Sequence, residues 1–335
     1  MARLADYIRA EIGPFRGSLA LEQFSGGQSN PTYLVRAGGA AYVLRRKPPG
    51  PLLPSAHAVE REYRIVTALS GSGVPVARTF ALCEDASVIG TAFYLMEYVE
   101  GRIFWDPSLP GLASCERAAV FDEMNRVIAT LHRLDPERLG LSDFGRPGNY
   151  LARQIDRWSR QYRASETEKI EAMDRLIEWL PGALPPGEET RIVHGDFRID
   201  NVIFDRDRAR ILAVLDWELS TLGHPLADFA YHAMAWRLSP GEFRGLAGHD
   251  LARIGIPSEE AYVREYCRRT GREGIAHWDY YIAYNMFRLA AILQGVMARA
   301  LKGNAASADA LDAGRRARPM AEAGWRQAEK VLAAG

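Results

Sequence analysis

The stretch His194, Gly195, Asp196, Phe197, Arg198, Ile199, Asp200, Asn201 is followed by an apolar run, Ile211 to Leu215, that ends in Asp216. A carboxylate, an amide shortly after it and a second carboxylate beyond a short hairpin are what phosphoryl transfer from a nucleotide needs. The first is a base for the attacking hydroxyl, and the other two are oxygen ligands for magnesium. Asp196 is the base in this reading, and Asn201 and Asp216 are the ligands, because magnesium is a hard ion that takes oxygen donors and keeps its bound phosphates. Arg198 stands close enough in sequence to reach the moving phosphoryl group. His194 reads as a pin of the loop, since a carboxylate already fills the position of the base.

The elements that position these groups follow from the pattern around them. Val202 to Phe204 and Ile211 to Leu215 are short apolar strands on either side of the polar turn Asp205 to Arg210, the pattern of a hairpin. The hairpin brings Asn201 and Asp216 to neighbouring strand ends. Near the N-terminus, the turn Phe24 to Asn30 separates two strand-like runs, Leu19 to Phe24 and Thr32 to Ala37. Its Gly26, Gly27, Gln28 and Ser29 would let backbone N–H groups approach phosphates without side-chain obstruction, with a plain hairpin turn the equal alternative. Ala41 to Arg46 is a further strand, and Ser55 to Leu69 has the apolar spacing of a helix at Val59, Tyr63, Val66 and Leu69.

With His-Gly-Asp, the downstream Asn201 and Asp216-Trp217-Glu218 in kinase order, the chain resembles the aminoglycoside phosphotransferase family, the small-molecule branch of the protein-kinase-like fold. The resemblance implies an α+β, two-lobed fold. Residues 1–100 would be an N-lobe with an antiparallel sheet, one helix and the hinge; residues 101–335 would be a mainly helical C-lobe carrying the catalytic loop, metal site and acceptor pocket. It also implies ATP, with GTP left open, and Mg²⁺ as cofactors.

In that family a strand cation holds the α- and β-phosphates. The match falls on Arg45, with Lys47 the alternative, and Arg is also a phosphate fork. Glu62 matches the helix glutamate that pairs with this cation, whereas Glu60 points to another face and reads as surface charge. Ala92 to Gly101 resembles the last N-lobe strand and the hinge, where the carbonyl of Glu97 and the N–H of Val99 would hold adenine. Pro48 to Pro54 is either a flap near the phosphates or a linker. Pro225 opens a helix whose first turn carries Asp228, to which the resemblance gives the task of bracing the catalytic loop. Glu218 is left between touching a metal-bound water and standing behind the ligands.

Composition agrees with an ordinary enzyme of about two domains. Across 335 residues the formal net charge is +0, so no general attraction to nucleic acid or anionic membrane is expected. Cys83, Cys115 and Cys267 are widely spaced and odd in number, which suits a reducing cytoplasm and buried apolar thiols better than a disulfide framework. Met1 to Ile12 is charged and amphipathic and lacks the shape of a signal peptide. Tyr280 to Leu301 is the most apolar late segment, but Asn285, Arg288, Gln294 and Arg299 interrupt it, so it reads as a buried helix and not a membrane span.

Glu116 to Leu134, Tyr150 to Tyr162 and Glu168 to Leu180 read as helices of the second lobe. Gly303 to Gly314 reads as a loose connection before a last helix, Pro319 to Leu332. Tyr150, Arg153, Trp158, His232, Trp236 and Tyr284 are candidates to line an acceptor pocket. Arg153, Arg157, Arg160 and Arg163 around them favour an anionic or neutral acceptor over a polycation. The wording Tyr42 to Gly50, Leu53 to His57 and Glu60 to Tyr63 resembles the kinase-like domain fused to acyl-CoA dehydrogenases. That implies a hydroxy acid or hydroxyacyl-CoA as acceptor, hence a CoA thioester among the partners. An aminoglycoside or amino-alcohol kinase and a silent nucleotide-binding module remain the alternatives, and the oligomeric state is open.

Overall fold

The computed structural model describes residues 1–24, 30–48, 57–303 and 309–334. The turn residues Gly26, Gly27, Gln28 and Ser29 lie outside the described residues, as does most of the proline-rich segment after Pro48.

The chain opens with helix α1 (Ala2–Glu11), whose Leu4, Ala5 and Ile8 are buried. Strands β1 (Leu19–Gln23), β2 (Thr32–Ala37) and β3 (Ala40–Arg46) follow as antiparallel neighbours. Helix α2 (Val59–Leu69) leads to β4 (Thr79–Cys83), the short α3 (Ala86–Ile89) and β5 (Phe93–Glu97). The five strands form one sheet in the order β1-β2-β3-β5-β4. Its core gathers Leu4, Ile8, Val35, Leu44, Cys83, Phe93 and Leu95, so α1 is held by its apolar stripe. Glu62 is buried on α2 among Val59, Ile65, Val66 and Leu69, a position that a carboxylate takes only with a partner.

Beyond the sheet come α4 (Ser114–Arg133), α5 (Tyr150–Ser165), α6 (Glu171–Gly182) and β6 (Arg191–Val193). The hairpin strands β7 (Val202–Phe204) and β8 (Ile211–Val214) pair with each other, and β9 (Thr221–Gly223) pairs antiparallel with β6. The rest is helical: α7 (Pro225–Ala233), α8 (Leu251–Ile254), α9 (Glu259–Thr270), α10 (Trp278–Leu301), α11 (Ala310–Gly314) and α12 (Ala317–Ala334). Helix α10 is the axis of this part, with α5, α7, α11 and α12 packed on it. Three of its four interrupting polar residues, Asn285, Arg288 and Gln294, are buried. Asn285 donates to the Ala227 carbonyl at 2.8 Å, and Gln294 to Thr167 Oγ1 at 2.6 Å. No helix among the described residues is long and apolar enough to cross a membrane.

The chain divides into two compact units. The first comprises Met1–Ile103, Leu139–Leu141 and Asn201–Ser220, and the second the remainder. A division at residue 100 would place the β7–β8 hairpin in the second unit. Backbone pairing places it in the first: Arg102 and Phe204 exchange N–H···O bonds of 2.7 and 2.8 Å, and Val214 donates to the Pro75 carbonyl at 2.9 Å. Two further expectations are corrected. The end of the stretch read as a loose connection is helix α11, because alanine favours a helix where α10 offers a packing face. Cys115 is exposed, in contrast to Cys83 and Cys267, because it lies in the first turn of α4 on the side away from the core.

Candidate active site

In the first unit, β3 and α2 bring Arg45 and Glu62 together. Arg45 Nε donates to Glu62 Oε2 at 2.8 Å, and its Nη2 donates to Asp216 Oδ1, also at 2.8 Å; Glu218 Oε2 stands 3.6 Å from the same nitrogen. Arg45 is thus the strand cation that α2 positions. Lys47 pairs with Glu60 at 2.8 Å instead, so the acid read as plain surface charge has a cation of its own. Three carboxylates surround one guanidinium. Burial, with Asp216 and Glu218 close by, pushes the Glu62 carboxyl up to about 7 against the pull of Arg45. Arg45 is moved up by its acidic neighbours in spite of burial.

Asp216 is held in an unusual backbone conformation, φ +61, which costs a non-glycine residue roughly 1 kcal/mol or more and is tolerated best by Asp and Asn. It stands immediately before the turn Trp217–Leu219, which the Trp217 indole N–H anchors on the Val214 carbonyl at 2.9 Å. Leu215 N–H donates to the Asn201 carbonyl at 2.8 Å. Asn201 and Asp216 therefore share one end of the hairpin, as their spacing predicts. The donors here are all oxygens, and the cluster carries two negative charges in excess of its arginine. Such a set fits a hard divalent ion that completes its shell with phosphate and water.

In the second unit the catalytic loop is tied down from behind. Asp228, in the first turn of α7, accepts the N–H of His194 at 2.8 Å and of Gly195 at 2.7 Å. His132 Nε2 lies 3.1 Å from the same carboxylate, and His132 Nδ1 lies 2.8 Å from the Tyr266 hydroxyl. Burial alone would raise Asp228, but His132, His194 and the backbone donors outweigh it and hold the carboxyl below its ordinary range. Gly195 has φ +85, a conformation that glycine adopts without strain, and its carbonyl accepts Arg288 Nη2 at 2.6 Å. His194 is fully buried and its Nδ1 accepts the Asp196 N–H at 3.1 Å, which is the pinning role expected of it.

Arg198 is 3.2 Å from Asp196 and 3.4 Å from Asp200. Arg244 also pairs with Asp200, and its guanidinium lies 5.7 Å from the ring centre of the exposed Trp105. Beside this loop opens a small cleft of about 50 Å³, lined by Arg198, Asp200, Tyr231 and Arg244 and by apolar side chains including Trp105, Phe121, Trp236 and Phe243. His232 and Trp236, two of the candidates for an acceptor pocket, line it. Burial takes the His232 ring down to about 4, so it is a neutral partner of the Tyr262 hydroxyl at 2.8 Å.

The α5 arginines do not supply the expected pocket charge. Arg153 donates to the Arg146 carbonyl, Arg160 pairs with Asp156, and Arg163 pairs with Asp174. Helical spacing turns Arg160 and Arg163 outward, where acids of the same surface neutralise them. Tyr231, Arg244, Arg288 and His132 were not singled out from sequence as site residues. The signal for Arg288 was a charge inside an otherwise apolar run.

Glu97 ends β5, where its N–H donates to Arg78 O at 2.8 Å and its carboxylate accepts the Arg78 N–H at 3.3 Å; Val99 follows just beyond the strand.

The comparisons with known proteins agree with this arrangement. The model of the phosphotransferase enzyme family matches residues 20–284. Acyl-CoA dehydrogenase family member 10 of Mus musculus is 50% identical over 331 residues, which is 98% of this chain and 31% of the mouse protein. The chain thus spans about a third of that relative. A solved structure from Ralstonia eutropha, provisionally named an aminoglycoside phosphotransferase, is 54% identical with a TM-score of 0.90 over 98% of each chain. A thermostable mutant of aminoglycoside phosphotransferase APH(4)-Ia, solved with AMP-PNP and hygromycin B, shares the fold at 20% identity, with a TM-score of 0.62 over 98% of this chain and 99% of its own. Read with the β3 cation, the hairpin acids and the braced His-Gly-Asp loop, these matches place the chain in the phosphotransferase enzyme family, with the protein-kinase-like fold of the aminoglycoside phosphotransferases.

Proposed function

We propose that the protein transfers the γ-phosphoryl group of ATP to a hydroxyl of a small molecule that carries a negative or carbonyl-bearing group, a hydroxy acid or its CoA thioester. The observation that carries this reading is the loop bearing Asp196. Its backbone is anchored by Asp228 and Arg288 on one side, while an apolar cleft edged by Arg198 and Arg244 opens beside it. A hydrocarbon body suits the apolar side chains of that cleft.

Each residue then has a task. The acceptor oxygen forms a bond to the γ-phosphorus while the bond from that phosphorus to the bridging oxygen breaks and ADP departs. The hydroxyl proton passes to Asp196 and from there to solvent. Arg45, held by Glu62, binds the α- and β-phosphates. Glu97 and Val99 hold the adenine through their main chains, and Gly26, Gly27, Gln28 and Ser29 cover the phosphates by their place in the motif order. Magnesium held by Asn201 and Asp216 would neutralise phosphate charge. Arg198, already flanked by two carboxylates, can turn to the transferring group.

Asp196→Asn tests the assignment, because the amide is nearly isosteric but accepts no proton. Mg·ATP affinity measured by calorimetry should stay within a few-fold of wild type, while phosphorylation of hydroxy acids or their CoA thioesters falls by at least about 10²-fold. A variant that turned over at near wild-type rate would favour the silent nucleotide-binding module.

A further inference from the structure

Arg288 is a cation that the transfer chemistry above leaves unused. It lies in the middle of α10 with 6% of its surface exposed, and none of the described carboxylates comes within 4.0 Å of its guanidinium. Its partners are a single carbonyl, Gly195 O, and aromatic faces: Tyr231 with its ring centre at 5.0 Å and Trp158 at 5.7 Å. Tyr150, Tyr231, Tyr284 and Asp196 bear on its charge, but the tyrosines are neutral, since burial pushes their hydroxyls up. The Tyr284 hydroxyl is buried beside that of Tyr150, with which it interacts. A guanidinium with five N–H donors and one carbonyl acceptor is costly to bury unless something else completes it. The same protein elsewhere matches a buried or half-buried arginine with acids, as Arg45 and Arg237 show.

We infer that Arg288, with the Tyr284 hydroxyl, is the acceptor's anchor, a specificity-determining pair that receives a carboxylate or thioester carbonyl oxygen. This rests on the phosphotransferase reading and narrows its acceptor. Arg288 grips the carbonyl of Gly195, the residue before Asp196, and Tyr231 touches both Arg288 and Asp196. An oxygen bound at Arg288 therefore sits one short span from the base, which selects molecules whose hydroxyl and carboxyl-derived group lie a few carbons apart. Asp196, 18% exposed on its side chain, and the exposed edge of Arg288 give the acceptor its access.

The test uses the full chain with Mg·AMP-PNP and a matched set of probes: hydroxyoctanoates with the hydroxyl at successive carbons from α to δ, their CoA thioesters, and the octanediols in which the carboxylate has become an alcohol. Calorimetry should show the wild type preferring one hydroxy acid or thioester over its diol by at least about tenfold. Arg288→Gln should abolish that preference, the affinity for the acid falling to that for the diol, with Mg·AMP-PNP binding as the check that the variant folds, and Tyr284→Phe should reduce it. Arg288→Lys, which keeps the charge but not the fork, should retain part of it and covers the case in which Arg288→Gln does not fold. A preference for acid over thioester assigns the free carboxylate, and the reverse assigns the thioester carbonyl. A wild type with no preference, or an Arg288→Gln variant that keeps it, overturns the inference and leaves Arg288 as a pin of the loop. Failure of the wild type to bind Mg·AMP-PNP would instead overturn the functional reading, and the acid-to-diol ratio without nucleotide would still decide the role of Arg288.

Discussion

Asp228 and Glu62 are both nearly buried acids, 4% and 2% exposed, and each holds another functional group in place. Burial raises both carboxyls, yet the two end on opposite sides of the ordinary carboxylate range. Asp228 is brought down by His132 and by two backbone amides that point only at it. Glu62 has one guanidinium, which it shares with Asp216 and Glu218, and its carboxyl rises to about 7. The difference separates two kinds of support. The catalytic loop rests on a hydrogen-bonded network complete within its own unit, whereas the acid cluster of the first unit has an excess of negative charge that suits a positive ligand.

The largest effect expected from breaking this contrast falls on the complete network. Asp228→Ala removes the acceptor of two buried N–H groups and of His132, so it should destabilise the protein by about 3 to 5 kcal/mol, the usual cost of breaking a buried hydrogen-bonded charge. Denaturant unfolding followed by tryptophan fluorescence measures it. A loss below about 1 kcal/mol would mean that water replaces the carboxylate and that the loop does not depend on it.

The incomplete cluster should reveal itself through pH. The Glu62 pKa is raised from 4.5 to about 7, so the folded state binds its proton more tightly than the unfolded chain does. Its contribution to stability is therefore fully present below pH 4.5 and is lost as pH rises through about 7, a change of up to about 3 kcal/mol. Glu62→Gln should flatten that part of the stability profile. Mg·AMP-PNP should flatten it in the wild type too, by bringing positive charge to Asp216 and Glu218. Melting temperatures recorded between pH 4.5 and 7 decide the matter, and equal slopes in wild type and Glu62→Gln would show that another group carries the titration.

These two clusters were not equally legible in the amino-acid sequence. The hairpin around Asp205 to Arg210, the Pro225 helix start and the order of acids were readable, because turn residues, strand alternation and a proline at a helix start act over a few residues. The pairing of Arg45 with Glu62 could be anticipated only through the resemblance to known kinases, since a strand and a helix some seventeen residues apart meet by tertiary packing. The arginines of α5 show the limit most plainly. Their number suggested a basic pocket, but the rotation of the helix, which their own spacing does not fix, faces Arg160 and Arg163 to surface acids. Arg288 sits on a helix buried almost all round, where no hydrophobic stripe says which side a polar residue meets. The hairpin's membership of the first unit depends on the Arg102–Phe204 pairing, a contact distant in sequence.

The smallest effect is expected at Lys47, and it sharpens the comparison by separating Arg45, inside β3, from the cation just beyond the end of that strand. Arg45 is 11% exposed on its side chain and is tied to three acids, one of them Glu62 at 2%. Lys47 is 26% exposed and Glu60 38%, and their contact of 2.8 Å lies where water competes for both groups. Exposed ion pairs of this kind contribute roughly 0 to 1 kcal/mol, and Lys47 is not oriented by a buried carboxylate. Lys47→Ala should therefore lower stability by less than about 1 kcal/mol and change the nucleotide KM by less than about fivefold. Arg45→Ala in the same assay should raise that KM by well over about tenfold, because Asp216 and Glu218 lose their cation and the phosphates lose theirs. If Lys47→Ala proved the more damaging of the two, the phosphate contact would belong to Lys47, and Arg45 would serve only to hold the three acids together.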